Sequence, residues 1–342
     1  MAVPQMIAVS LPGSGTPLLA DVTSALGYTS YGTMSGDPAA GADRPGPGPG
    51  EVYALLTAAY GPDRTALLLN PRYDREILEG AFHQAVSALW RVWWTRLGQP
   101  TTLASAVDPD IESRLTRLPD TTLLGLLPGR GCWYVTGLDL RYADADFLRT
   151  WHTRSQPPIV HHHRDIRDRI ISQIRALSRP ADRVGTLPEH LIYRDILATR
   201  PTLDAKITLA LTDPGFPGMR EGHRCQWLLH HPAICVITHE ELAGPELGGS
   251  TDARDRALAR LLTATGHPAE TGDIPAPTAD GATEDLAVGV GRELFTPDHE
   301  RLLRRHHSAL LPDVPDAPDV PDVADDSPTN PPGPGVPAVS SW

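Results

Sequence analysis

Two stretches of the sequence carry residue types that suit an anionic ligand. The first follows the apolar run at 6–11 and is rich in glycine, which allows the backbone to approach a phosphate closely. A helix is predicted to begin next, with Thr16 as N-cap and Pro17 as its first residue. Backbone N–H groups at such a helix N-terminus converge on an anion. The candidate residues of this phosphate-binding loop are Pro12, Gly13, Ser14, Gly15, Thr16 and Pro17.

The second stretch begins with the apolar run IVHHH at 159–163, which is typical of a short strand. Apolar residues at three- and four-residue spacing through 166–177 then predict a helix that ends near Pro180. Arg164 would lie at the carboxyl end of the strand, and Ser172 would lie one turn inside the helix. A guanidinium and a hydroxyl at a strand–helix junction can hold a phosphate, so Arg164 and Ser172 form a second candidate site.

Short apolar runs alternate with helical patterns along the chain. The longest pattern, at 74–97, predicts an amphipathic helix whose terminal tryptophans are more typical of a core than of a ligand site. Strands that alternate with helices imply a parallel sheet with crossover helices. We therefore predict an α/β fold with a central, mainly parallel sheet flanked by helices. The predicted strands are 6–11, 65–69, 132–137, 159–163 and 233–238.

No linker divides the first 310 residues, so we predict one domain over 1–310 with a loop excursion at 36–50. The remaining segment, 311–342, has six aspartates, nine prolines and no lysine or arginine. Such a composition buries too little apolar surface to offset the entropy of ordering, and we predict a disordered tail. An acidic arm that binds a partner is the alternative for this segment.

Composition and charge exclude several classes of protein. The apolar runs are much shorter than the ~20 residues of a membrane-spanning helix, and the N-terminus lacks the basic segment of a signal peptide. We therefore expect a cytoplasmic protein without a membrane partner. The net charge is −12, and no basic face for nucleic acid stands out. The sequence leaves the oligomeric state open, a homodimer included.

The cysteines and histidines do not suggest a metal site. Cys132, Cys225 and Cys235 are widely separated in apolar contexts, which is typical of buried thiols. Of the histidines at 161–163, at most two point to the same face of a strand, and a third zinc ligand is not apparent. We expect these three histidines to be structural, and the pair at 306–307 to be exposed.

Four segments, in this order, resemble the cytosolic-type sulfotransferase family, which uses 3′-phosphoadenosine 5′-phosphosulfate (PAPS). SLPGSGTPLL at 10–19 resembles the family's Pro-(Lys/Arg)-Ser-Gly-Thr loop, and HHRDIRDRIIS at 162–172 resembles its Arg-Asp-Pro-Arg-Asp-x-x-x-Ser segment. The third is His-Glu-Glu-Leu at 239–242, which is similar to the family's acidic Tyr-Glu-Asp-Leu segment and is followed by the Gly-Gly-Ser turn of many bacterial members. The fourth, GVGRELFTPDH from 289, is similar to the C-terminal Gly-x-x-Gly and Phe-Thr-Pro segment.

The resemblance implies a P-loop-type three-layer fold and the transfer of a sulfonate from PAPS, as cosubstrate, to a hydroxyl of a small molecule. It implies that the loop at 12–17 binds the 5′-phosphosulfate of the donor. Arg164 and Ser172 would hold the 3′-phosphate, and Gly291 and Arg292 would also contact the donor. The acceptor would lie beside the tryptophan-rich helix and the residues near 139.

Two residues of the family pattern are absent from their usual positions. Gly13 stands where a lysine or arginine of the loop would stabilise the leaving oxygen, so another arginine or backbone N–H groups would have to replace it. No histidine follows the strand at 132–137, where the family often places the base for the acceptor proton. Asp139 and His152 are the alternatives for this base. Their structural interpretations are a helix-capping aspartate and an ordinary helix-end histidine.

The sequence thus predicts a PAPS-dependent sulfotransferase whose acceptor is a small molecule, such as a specialised metabolite. The alternative is a catalytically impaired protein of the same fold that binds a nucleotide or acts as a scaffold. A P-loop kinase is disfavoured, because Lys206 is the only lysine of the chain and no Walker A sequence is present.

Overall fold

The sheet is built from the short apolar runs, and its central strand is buried on both faces. The strands are β1 (Met6–Ser10), β2 (Thr29–Gly32), β3 (Gly131–Val135), β4 (Ile159–His163) and β5 (Cys235–Thr238). They pair in the order β2-β3-β1-β4-β5, and every pair is parallel. Because β1 is central, the residues that follow it emerge at the middle of the sheet's carboxyl edge.

The computed structural model describes residues 5–32, 49–72, 74–99, 107–126, 128–154, 157–180, 184, 188–267 and 286–311. The helices of the first half are α1 (Thr16–Ala25), α2 (Pro49–Tyr60), α3 (Pro62–Leu68), α4 (Arg75–Arg96), α5 (Pro109–Thr116), α6 (Asp120–Gly125) and α7 (Ala145–Arg154). Those of the second half are α8 (Ile166–Leu177), α9 (Pro188–Ala198), α10 (Leu203–Thr212), α11 (Met219–Cys225), α12 (His239–Leu242), α13 (Thr251–Thr265), α14 (Val290–Leu294) and α15 (Pro297–His307).

Alternate side chains of the strands enter two different cores, as the pleat of a strand requires. Ala8 and Tyr134 pack into a cluster with α1, α12 and α13 on one face of the sheet. Val9 and Trp133 pack into a cluster with α2 and α4 to α7 on the other face. The predicted three-layer α/β fold with a parallel central sheet is therefore confirmed.

A third apolar cluster joins α8 to α9, α10 and α15, through residues such as Ile170, Leu211 and Leu303. Because α8 begins three residues after β4 ends, this cluster holds the N-terminus of α8 at the carboxyl edge of the sheet.

The structure differs from the sequence-based expectations at three elements. The predicted strand at 65–69 is wrong: helix α3 occupies this segment, with Gly61 as N-cap and Pro62 in the first turn, and leaves Leu67 exposed. The short strand β2 was not predicted, because Thr-Ser-Tyr-Gly has no apolar run. The N-cap of α1 is Gly15, one residue earlier than expected, and Thr16 is already helical.

Several smaller expectations also have an outcome. The three cysteines are free thiols, of which Cys132 and Cys225 are buried and Cys235 is half-buried. His306 is exposed as expected. His307 is buried instead, and its Nε2 donates to the Leu211 carbonyl (2.9 Å).

The loop excursion predicted at 36–50 lies outside the described residues up to 48, and Pro49 and Gly50 already belong to α2. Residues 312–342 also lie outside the described part, so the domain boundary near 310 and the tail stay predictions. Among the described helices, none combines the length and the apolar character needed to span a bilayer.

Candidate functional site

The glycine loop, residues 12–15, connects β1 to α1 at the carboxyl edge of the sheet. Gly13 and Gly15 have φ angles of 79° and 82°, a left-handed conformation that favours glycine. The Ser14 N–H donates to the Leu11 carbonyl (3.0 Å) and closes the turn. Within the described residues, no side chain caps α1 and no acidic residue lies in its first turn. The N-terminus of α1 therefore keeps its N–H groups and its positive dipole end for an anion.

Both glycines are also required by close packing. A Cβ atom at Gly15 would overlap the imidazole of His239, whose Cε1 would be 2.7 Å away. A Cβ atom at Gly13 would lie 2.6 Å from the carbonyl oxygen of Arg169 and 3.0 Å from its Cγ. The loop is thus held between α12, which carries His239, and α8, which carries Arg169.

Arg164 connects the glycine loop to the segment around Ala287. It follows β4 directly and is only 2% exposed. Its Nη1 donates to the Gly13 carbonyl (3.2 Å), and its Nη2 donates to the Ala287 carbonyl (2.8 Å). Its Nε lies 4.0 Å from Asp168 Oδ2, which balances the buried charge. The structure therefore brings Arg164 to the loop. Its Nη1 and Nη2 atoms donate to two backbone carbonyls, whereas the sequence predicted that they bind a 3′-phosphate directly.

Residues 286–291, which we call the C-terminal strap, cross the N-terminus of α8. Both oxygens of Asp168 accept hydrogen bonds from the strap, one from the Gly289 N–H (2.8 Å) and the other from the Gly291 N–H (2.5 Å). A Cβ atom at Gly291 would lie 2.5 Å from the backbone nitrogen of Asp168, so only glycine fits at this crossing. The predicted candidate Gly291 thus lies beside Arg164, and its role in this structure is to pack against α8.

The two other donor-binding candidates are polar groups on or beside α8. Ser172 lies one turn after Asp168 on the same face of α8, is half-buried and makes no hydrogen bond within the described residues. Arg292 follows the strap, and its exposed side chain pairs with Asp165 (3.3 Å). The predicted donor-binding residues therefore lie near the N-terminus of α1 or α8, except Ser172, which lies in the middle of α8.

Several polar atoms around the loop are buried, and Ser14 Oγ, His162 Nε2 and His239 Nδ1 have no hydrogen-bond partner within the described residues. His162 Nδ1 bonds to Ser10 Oγ (3.0 Å). His239 Nε2 donates to the Leu286 carbonyl (2.7 Å), so its Nδ1 is an acceptor when the ring is neutral. Burial lowers the pKa of His239 to about 4 and that of His162 well below its ordinary value, so both rings are neutral at pH 7.

Asp139 lies at the carboxyl end of β3, but its carboxylate is already engaged. It accepts from the Arg141 N–H (3.1 Å) and pairs with the Arg141 guanidinium (2.5 Å), and Arg224 Nε lies 3.9 Å away. The hydrogen bonds from Arg141 lower the pKa of Asp139. Asp139 caps the short 3-10 turn Leu140–Tyr142, so the capping interpretation describes it and its carboxylate is a poor base.

His152 does not reach the carboxyl edge. It is an exposed residue in the last turn of α7. Helix α7 runs from the carboxyl end of β3 back to the amino end of β4, so His152 lies at the opposite edge of the sheet from the glycine loop. This position argues against the prediction that His152 is the base.

Sequence reasoning missed Arg169, which lies against the glycine loop, and His163, at the carboxyl end of β4. Arg169 is 2% exposed on α8, and the signal for it was an arginine within the apolar face of an amphipathic helix. His163 is half-buried at the end of β4 and makes no hydrogen bond within the described residues. Burial, reinforced by the charge of Arg169, lowers the pKa of His163 to about 4.

Helix α4 ends beside the carboxyl end of β3, where Gln99 Oε1 accepts from the Asp139 N–H (3.2 Å). Trp90 stacks between Trp94 and Trp133, with ring centroids 4.7 Å apart in both pairs. These rings belong to the core, as the sequence suggested, and an acceptor surface beside them stays a prediction.

A cavity of about 550 Å³ lies elsewhere, at the amino ends of β4 and β5. Its lining includes Pro158, Ile159, Cys235 and Arg260. This is the edge opposite the glycine loop, and the cavity contains none of the candidate site residues.

Comparisons with known proteins find a distant likeness among solved structures. No family model matches the sequence, and no curated protein sequence matches it either. Among solved structures, the chain is similar to a crystal structure of mouse sulfotransferase SULT7A1 complexed with PAP, with 13% sequence identity and a TM-score of 0.43. The match covers 90% of this chain and 85% of that chain. At this identity and TM-score, the likeness assigns no role to any residue.

We predict that Gly15→Ala destabilises the protein much more than Gly27→Ala. Both glycines have a φ of 82°, but a Cβ at Gly27 would meet no atom within 4 Å. The strain of a left-handed alanine, about 1–2 kcal/mol, is therefore common to both variants. The clash with His239 adds at least about 1 kcal/mol for Gly15→Ala, which urea unfolding would measure. Equal losses for the two variants would contradict the packing described for the loop.

We also predict that the free energy of unfolding falls between pH 7.5 and pH 5. Burial lowers the pKa of His161 to about 3 and of His163 and His239 to about 4, whereas unfolded histidine has a pKa near 6.5. The unfolded chain thus binds more protons, so the stability present above pH 6.5 is lost as the pH falls towards 4, by on the order of 1–2 kcal/mol per imidazole at pH 5. Urea unfolding at several pH values would measure the slope, which His161→Gln should reduce. A flat profile would contradict the burial of neutral imidazoles.

Proposed function

We propose that this chain is a sulfotransferase that moves the sulfonate of PAPS to a hydroxyl group of a small molecule. The observation that carries the proposal is the contact of Arg164 with the glycine loop, at the carboxyl end of the central strand. This contact joins residues 151 positions apart, which belong to the two segments that resemble donor-binding motifs of the family. Ligands of open α/β sheets bind at this edge, where the crossovers on either side of one strand leave a crevice.

The residues at this edge fit an anionic donor. The free N–H groups of α1 and the buried Ser14 hydroxyl suit the 5′-phosphosulfate. Ser172 and the exposed Arg292, on and beside α8, suit the 3′-phosphate. Arg164 then acts indirectly: it fixes the loop carbonyl of Gly13 and adds positive charge from a buried position.

Sulfonate transfer is an in-line displacement at sulfur. The acceptor oxygen forms a bond to sulfur while the bond from sulfur to the bridging oxygen breaks, and that electron pair remains on the 5′-phosphate. The acceptor hydroxyl gives its proton to a base. The protein must therefore provide N–H donors or positive charge at the bridging oxygen and a base on the acceptor side.

We assign the base to His163. Its ring lies at the carboxyl end of β4, on the same face of the sheet as Val9 and Arg169, and it is neutral at pH 7. The negative charge of a bound donor favours the imidazolium, so donor binding would raise the pKa of His163 towards neutrality. Asp139, in contrast, is held by Arg141.

The second candidate function is nucleotide binding without transfer. Neither of the two bases expected from the sequence is placed to accept a proton, which favours this function. Asp139 is ion-paired, and His152 lies at the opposite edge of the sheet. In that case the protein would bind adenosine 3′,5′-bisphosphate and PAPS but would not transfer the sulfonate.

The experiment for the proposed function combines binding with transfer. Calorimetry should show binding of adenosine 3′,5′-bisphosphate, and sulfonate-labelled PAPS should label one or more members of a panel of phenols, sugars and lipid alcohols. Binding without labelled product would support the second candidate. No binding of either nucleotide would contradict both functions.

We expect His163→Asn to lower kcat by about 100-fold or more, since general bases contribute roughly 100- to 10,000-fold. The affinity for adenosine 3′,5′-bisphosphate should change less than about threefold, because a base contacts the acceptor and not the nucleotide. A kcat equal to that of the wild type would show that another group accepts the proton.

A further inference from the structure

Arg169 occupies the space into which a side chain at position 13 would extend. Its Cγ lies 3.0 Å from the position of a Cβ at Gly13, closer than side chains normally pack. From there its guanidinium passes to α11, where Nη2 would lie 2.8 Å from a Cβ at Gly222. A side chain at position 13 would therefore meet Arg169, first its carbonyl oxygen at 2.6 Å and then the stem of its side chain. Position 13 is also where the resemblance to sulfotransferases calls for a cation.

The guanidinium of Arg169 is buried and makes no ion pair with any residue that the structure describes. Arg169 is 2% exposed, and no carboxylate of the described residues lies within 4.0 Å of it. Its one hydrogen bond within the described part of the chain is a weak one, from Nη2 to Met219 Sδ (3.9 Å). This contrasts with Arg164 on the same segment, which has two carbonyls and Asp168.

The surroundings of Arg169 identify the kind of ligand that would pair with it. Burial lowers the pKa of Arg169 to about 10, so it remains charged at pH 7. Burial, with a smaller contribution from the charge of Arg169, lowers the pKa values of His161 and His163 on β4 and of His223 on α11, so all three rings are neutral at pH 7. The charge of Glu221 acts on Arg169, but the two residues form no ion pair. A buried cation without an ion pair destabilises a fold unless an anion binds beside it.

We propose that Arg169 is the cation of the 5′-phosphate subsite and replaces the basic residue that the glycine loop lacks. This inference rests on the proposed function and names a residue of that same site. The loop supplies backbone N–H groups to the phosphate, and Arg169 supplies the positive charge from α8. Arg169 is a binding residue in this proposal, whereas Arg164 positions the loop.

A purely structural role for Arg169 makes the opposite prediction for stability. If the side chain served only packing, its loss would destabilise the protein with and without ligand. If its charge serves an anion, Arg169→Met keeps the apolar stem, removes an unpaired buried charge and leaves the Tm of the free protein unchanged or higher.

The test measures binding of two nucleotides to four proteins by calorimetry. The nucleotides are adenosine 3′,5′-bisphosphate and adenosine 3′-monophosphate, which lacks the 5′-phosphate. The proteins are the wild type, Arg169→Met, Arg169→Lys, and the matched control Arg175→Met, which removes an arginine six residues further along α8. The Tm of each free protein is measured in parallel.

We expect Arg169→Met to weaken binding of the bisphosphate by about 10- to 100-fold, as for the loss of a hydrogen bond to a charged group. Its affinity for the 3′-monophosphate should be that of the wild type. Arg169→Lys should lose less bisphosphate affinity than Arg169→Met, because the charge is kept. Arg175→Met should change neither affinity.

Three results would overturn the proposal. Wild-type affinity of Arg169→Met for the bisphosphate would refute the role of Arg169 and leave the proposed function intact. Equal losses for both nucleotides, together with a lower Tm, would show a structural role. Failure of the wild type to bind the bisphosphate would refute the proposed function and, with it, this subsite.

Discussion

Two carbonyl oxygens from distant parts of the chain, those of Gly13 and Ala287, accept hydrogen bonds from the same buried guanidinium of Arg164. Asp168 balances this charge and also accepts both strap N–H groups described above. Each group thus satisfies a partner that would otherwise be buried without a hydrogen bond, which costs about 1–3 kcal/mol for each neutral group. The glycine loop, the start of α8 and the C-terminal strap therefore form one connected unit, and the shape of the loop depends on it.

The electrostatics of this unit are local. The chain carries a net charge of −12, yet two buried arginines lie against the glycine loop and the surrounding histidines are neutral. Because exposed charges are screened over about 8 Å at physiological ionic strength, the acidic surface has little influence on a buried cation. Selectivity for an anion can therefore arise from Arg164, Arg169 and the N-terminus of α1, although the protein as a whole repels anions at long range.

The sequence was a good guide where one local signal dominates. The loop at 12–15, strand β4 and helix α8 follow from glycine spacing, an apolar run and helical periodicity, each of which depends on neighbouring residues. The strand predicted at 65–69 was wrong because a short apolar run fits a strand and a helix equally well. The donors of Arg164 and the position of Arg169 could not be predicted, since both depend on contacts with residues far away in the chain. The catalytic base could not be predicted for the same reason. Asp139 has a suitable carboxyl group, and only the fold shows that this group is ion-paired with Arg141.

The position of the strap in the chain has a consequence for synthesis on the ribosome. When β4 and the first turn of α8 emerge, the Gly13 carbonyl and Asp168 are already available to the Arg164 guanidinium, but the Ala287 carbonyl is 123 residues downstream. Asp168 likewise lacks its two hydrogen bonds from the strap N–H groups until residues 289 and 291 have been synthesised. A nascent chain can thus pair β1 to β4 early while the loop stays incompletely fixed, and the glycine loop reaches its final shape only once residues up to 291 have left the exit tunnel.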